Sequence, residues 1–145
     1  GLGDVYKRQL LDRFHCFIEG WYLPRINKSM IFKGWTINVE YFSELMHTLR
    51  TQNSYGLLFD ALVAFEANAD MRDFTAVKRI ATAYMKLLFP HWQSVTDVDI
   101  DDFDQYCLQP AIMRRGIIKT QCHNIDEEFN TIMPKIEVRN NIFND

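Results

Sequence analysis

Residues 10–18 read Leu10-Leu11-Asp12-Arg13-Phe14-His15-Cys16-Phe17-Ile18, and how this stretch is read decides the fold. Residues 14–18 form a short, mostly apolar run, bounded by Asp12-Arg13 before it and Glu19-Gly20 after it. Such a run between polar and turn residues predicts a buried strand. Most of the chain beyond it has helical periodicity, so the reading is a short buried strand leading into a mostly helical chain.

Downstream, residues 20–34 hold Pro24, Asn27 and Ser29 and read as a structured loop, with Trp21, Tyr22 and Trp35 as aromatic anchors. Asn38 is placed to cap a helix over residues 39–50, whose apolar positions Tyr41, Phe42, Leu45, Met46 and Leu49 follow three-four spacing. A second helix is predicted over residues 54–65, striped by Leu57, Leu58, Ala61, Leu62 and Phe65. Asp73 is expected to cap a third, over residues 74–89, which Pro90 ends by forcing its predecessor out of the helical region.

Residues 94–102 form an acidic loop. Asp97, Asp99, Asp101 and Asp102 lie close together there, but the glycine and terminal glutamate of a calcium loop are absent, so capping is the expected role. A long helix over residues 102–122 carries Phe103, Tyr106, Cys107, Ile112, Ile117 and Ile118, with Pro110 expected to kink or split it.

The two ends read differently. Residues 1–9, GLGDVYKRQ, open without Met and resemble a string found at the ends of unrelated metagenomic reading frames. They are expected to be a non-native leader and are set aside from the fold. Residues 135–139 alternate as a strand does, and its partner is expected in sequence beyond the chain.

Composition bounds the rest. The 145 residues suffice for one core, rich in aromatic residues. A net charge of −3 predicts no strong overall attraction to nucleic acid or an anionic membrane. Cys16, Cys107 and Cys122 are odd in number and widely spaced, which fits reduced thiols and a cytoplasmic protein rather than a disulfide framework or a zinc site. No apolar run has transmembrane length, and no membrane partner is expected. The sequence holds no G-x-x-x-x-G-K-[ST], no G-x-G-x-x-G and no nucleophile elbow. His15, His47, His91 and His123 never pair at i, i+4 beside a glutamate, so no metal is expected. The chain is not expected to carry a complete catalytic site.

Leu10-Leu11-Asp12-Arg13-Phe14 resembles the L-L-D-R or L-L-S-R-F segment of AAA+ ATPases of the Lon and MCM kinds. The plain alternative is a salt bridge from Arg13 to Asp12 or Glu19. Residues 72–83, RDFTAVKRIATA, resemble the MCM-like lid helix, in which a sensor-2 arginine is followed seven residues later by another; Arg72 and Arg79 have that spacing. Here the plain alternative is a solvated face at Lys78-Arg79. Longer strings extend the likeness: residues 10–26 (LLDRFHCFIEGWYLPRI), 34–44 (GWTINVEYFSE), 75–91 (TAVKRIATAYMKLLFPH) and 106–122 (YCLQPAIMRRGIIKTQC). Together they are similar to the BrxL family, the Lon protease-related AAA+ proteins of bacteriophage-exclusion (BREX) defence systems.

The resemblance implies a mainly α fold with a few short strands, the C-terminal part of an AAA+ module. Residues 10–38 would end the ATPase core, residues 39–134 would form the helical lid, and residues 135–145 would begin a further segment. It further implies a parent ATPase that forms homo-oligomeric rings, takes ATP with Mg, and acts on DNA in phage defence. Arg13 becomes the candidate trans-acting arginine and Arg72 the candidate sensor 2, with Arg79 the alternative. No protease dyad is assigned. Arg25, Lys28 and Lys33, beside Trp21, Tyr22 and Trp35, could track a DNA backbone or serve subunit packing. The competing reading is a stand-alone helical protein-interaction module with no ATPase role.

Overall fold

The structure, a computed structural model, describes residues 1–139. Its helices are α1 (Leu2–Leu11), α2 (Val39–Arg50), α3 (Ser54–Leu62), α4 (Met71–Leu88), α5 (Ile100–Phe103) and α6 (Gln109–Ile125), and its strands are β1 (Val63–Phe65) and β2 (Ile136–Val138). The described residues are thus mainly helical, as expected of the C-terminal helical part of an AAA+ ATPase domain. The chain divides into two compact units. One joins Gly1–Phe17 to the chain from Asn53 onward, and the other is Ile18–Gln52.

The larger unit is built around α4. Asp70 caps it by accepting from the Arg72 amide at 2.8 Å. Val77, Ala81 and Met85, spaced by four, bury one stripe against Phe59 and Leu62 of α3 and Phe103, Cys107, Leu108 and Ala111 of the 100–125 run. The helix stops before Pro90, with Phe89 out of the helical region at φ −129°, ψ 57°. Phe89 then stacks on buried Trp92, ring centroids 4.0 Å apart. Between α5 and α6 a π-turn spans Asp104–Leu108, and Pro110 comes next, in the first turn of α6. Proline has no N–H for an uninterrupted α-helix, and the wider turn before it absorbs that loss.

Several expectations change. Asp73 does not cap α4, because its carboxylate is taken up in a buried ion cluster; Asp70 caps instead, three residues earlier. The helix predicted over 54–65 ends at Leu62, where Val63, Ala64 and Phe65 pair antiparallel with Val138, Glu137 and Ile136. The strand at 135–139 therefore finds its partner inside the chain. The ladder is extended by Arg139 N to Leu62 O (2.8 Å) and Glu66 N to Lys135 O (3.0 Å).

The predicted strand at 14–18 does not form. Phe14 N closes a turn onto Leu11 O, and the Asp12 and Phe14 carbonyls accept from an arginine side chain rather than from a neighbouring strand. Residues 1–9, set aside on sequence grounds, make most of α1. It lies along α6 with Arg8 Nε 2.8 Å from Asp126 Oδ2.

The smaller unit holds α2, capped by Asn38 as predicted, with Oδ1 accepting from Glu40 N at 2.9 Å. Two 3-10 turns precede it, Gly20–Tyr22 and Lys28–Met30, the second capped by Asn27. Trp21, Tyr22 and Trp35 are not buried anchors: all three are largely exposed, as are Ile26, Ile31 and Phe32. The unit is too small to enclose them. Among the described residues, no helix is long and apolar enough to cross a membrane.

Candidate functional site

The turn after α1 carries the functional candidates. Asp12 ends the helix with its side chain 2 % exposed. Its Oδ1 accepts from Arg115 Nη2 at 2.6 Å, and its Oδ2 accepts from Arg72 Nη1. Arg115 comes from α6 and is itself 1 % exposed. Its Nη1 donates to the carbonyls of Asp12 and Phe14, both at 3.0 Å, and its Nε donates to Asp73 Oδ1 at 2.7 Å. Lys119, one turn further along α6, donates to Asp73 Oδ2 at 2.7 Å.

Buried charge is tolerated only when paired and hydrogen-bonded. This cluster meets the condition: among the described residues no buried side-chain nitrogen or oxygen lacks a partner. Burial by itself would raise the Asp12 carboxyl. The hydrogen bonds and charges of Arg72 and Arg115 outweigh it and hold the group below the usual carboxylate range.

Beside the cluster lies a surface cleft of about 270 Å³, lined by Asp12, Arg13, His15, Met71, Arg72 and Thr75. Arg13 is exposed there. Asp12 does not pair with it, since the two carboxylate oxygens of Asp12 are taken by Arg72 and Arg115. Arg72 reaches the same cleft from the first turn of α4, half exposed and held by Asp12. Arg79 lies two turns further along α4, its Nη1 3.3 Å from His15 Nε2. Since a guanidinium only donates, that ring nitrogen is the acceptor. Burial, and then the charges of Arg79 and Arg115, lower the His15 pKa and favour the neutral ring. The cleft therefore presents two guanidinium groups and a hydroxyl, while its one carboxylate is already engaged by cations. That is complementary to an anion with several oxygens.

Arg25, Lys28 and Lys33 belong to the smaller unit and are exposed. The thiols contribute no nucleophile in the core, where burial pushes Cys107 up to about 12 and also raises Cys122.

Sequence reasoning missed Asp73, Arg115 and Lys119 as members of the site. A signal was there. Ala111, Arg115, Ile118 and Cys122 share the core stripe of α6, and Asp73 continues the stripe Val77, Ala81, Met85 on α4. A charge in an apolar stripe predicts an opposite charge facing it.

A family model described as "Lon-like protease BrxL-like, ATPase domain" matches residues 4–135. The Lon-like protease BrxL of Bacillus cereus (strain H3081.97) is 23 % identical over 121 residues, covering 83 % of this chain and 17 % of that protein. The Lon-like protease BrxL of Escherichia coli O9:H4 (strain HS) is 29 % identical over 111 residues, covering 76 % of this chain and 15 % of that protein. The chain thus matches about a sixth of the length of these relatives. With nearly all of its residues inside the matched region, the chain belongs to the family of BrxL-like Lon-like protease ATPase domains.

Proposed function

We propose that this chain is the part of a BrxL-like ATPase that brings Arg13 and Arg72 to the phosphates of ATP, with Arg13 as trans-acting arginine and Arg72 as lid sensor. The observation that carries the reading is the cleft the two arginines share. A planar, permanently charged fork suits the charge that spreads over a transferred phosphoryl group, and Arg13 has no pair with Asp12 to give up first, because Arg72 and Arg115 hold that carboxylate. Because both arginines line one cleft, both address the same nucleotide. If Arg13 serves the phosphates held by a neighbouring subunit in a ring, Arg72 serves them too.

Arg79 is the alternative sensor, one step behind His15. The magnesium ion would be held with the phosphate loop in the remainder of the parent. The cationic groups of this cleft fit the anionic oxygens of ATP and not the metal. The wider role proposed for the parent, acting on DNA in phage defence, follows from the resemblance seen in the sequence, and exposed Arg25, Lys28 and Lys33 beside exposed Trp21, Tyr22 and Trp35 support it.

The test is Arg13→Ala in the full-length parent. ATP binding should stay near parental while hydrolysis falls on the order of 10³-fold. Mixing this variant with one defective in the phosphate loop should restore part of the activity, since the two lesions damage different shared sites. Hydrolysis at the parental rate by Arg13→Ala would remove the trans-acting role. The exposed apolar residues of the smaller unit favour a second reading, a helical module that binds a protein partner; unchanged hydrolysis would leave that one standing.

A further inference from the structure

The geometry points to Arg115 as the positioning residue for Arg13 and Arg72, an inference that rests on the function proposed above. Arg13 sits between Asp12 and Phe14, and one nitrogen of Arg115 donates to the carbonyl oxygens of both, at 3.0 Å each. The backbone on either side of Arg13 is thereby fixed from behind by a side chain with almost no access to solvent. The second end of the same guanidinium holds Asp12 Oδ1, while Asp12 Oδ2 holds Arg72. Its Nε holds Asp73, next to Arg72 in the first turn of α4. A single rigid group on α6 therefore sets where both arginines stand relative to each other.

The shape of the group matters as much as its charge. Lysine would bring one point charge and three donors from one atom, and could not span two carbonyls and two carboxylates. Arg115→Lys keeps the cluster's charge while losing its bridging geometry. Arginine fingers act through position, and a displacement of about 1 Å can cost on the order of 10²-fold in rate.

The experiment measures steady-state ATP hydrolysis by the full-length parent in four forms: parental, Arg13→Ala, Arg115→Lys, and the double variant. Arg115→Lys is expected to lower kcat by about 10- to 100-fold with KM for ATP within about twofold of parental. The double variant should lose less than the product of the two single losses, because with Arg13 gone only the placement of Arg72 remains for Arg115 to affect. Independent, multiplying losses, or a parental kcat for Arg115→Lys, would overturn the positioning role. If Arg13→Ala itself is at the parental rate, the function proposed above fails with it, and that arm identifies the cause. Should Arg115→Lys fail to assemble, Asp73→Asn loosens one anchor of the same guanidinium. It should give a smaller loss that likewise shrinks in the Arg13→Ala background, and a loss that is undiminished there would count against the proposal.

Discussion

Arg115 and Asp73 meet at 2.7 Å with side chains only 1 % and 3 % exposed, joining α6 to the first turn of α4 in the interior. This pairing makes a stability prediction. Asp73→Ala strips Arg115 and Lys119 of a shared counter-charge in the interior, and should cost about 3–5 kcal/mol. Adding Arg115→Met to that variant should cost less than the sum of the single losses, because the second change removes the stranded charge. Urea unfolding of the four proteins measures the coupling; strictly additive losses would mean that the pair does not act as one unit.

His15 predicts a pH dependence. Its folded pKa lies below the ordinary 6.5, first through burial and then through Arg79 and Arg115. A group depressed in this way adds stability that is fully present above 6.5 and is lost as pH falls through the folded value. Nuclear magnetic resonance titration of the ring should show a midpoint below 6.5. Arg79→Ala should move it up only part of the way, since burial remains.

Arg72 and Arg79 are told apart by substitution. Arg72→Ala leaves Asp12 held by Arg115 at Oδ1 but strips the buried Oδ2 of its partner, and should cost about 1–3 kcal/mol in stability. In the full-length parent it should slow ATP hydrolysis, while Arg79→Ala should change it little. The opposite pattern would assign the sensor role to Arg79.

The isolated chain makes its own predictions. Without a phosphate loop it should show no magnesium-dependent ATP turnover. Trp21, Tyr22 and Trp35 leave much apolar area in water, so sedimentation should reveal self-association that grows with concentration. A clean monomer at all concentrations would favour a finished surface rather than one that needs a partner.

What the sequence made legible was local. Asn38 before α2, Pro90 after α4 and Pro110 in the long C-terminal run all act on their immediate neighbours, and the structure has them where their chemistry requires. The long strings that resemble BrxL were legible in the same way, as contiguous text, and the family match covers them. What failed depends on partners distant in sequence. Residues 14–18 have strand composition, but their carbonyls meet the guanidinium groups of Arg114 and Arg115, about a hundred positions away. Val63 falls within the helix predicted over residues 54–65 because its partner Val138 lies far down the chain. Asp73 looked like a cap because aspartate usually is one at such a position; only the facing Arg115 and Lys119 make it an interior anion.

The pairing of Val63 with Val138 also has a consequence during synthesis. The ribosome releases β1 long before β2 exists, and at ~5–20 residues per second the wait is on the order of ten seconds. Throughout it the nascent chain carries a short apolar strand with nothing to pair with, beside helices whose own packing partners are still arriving. The last stitch of this unit is sewn only after α6 has left the exit tunnel. Translation that stalls with α6 outside the tunnel and β2 still inside it should therefore leave an intermediate with its helices and an open strand edge, the kind of surface that chaperones hold.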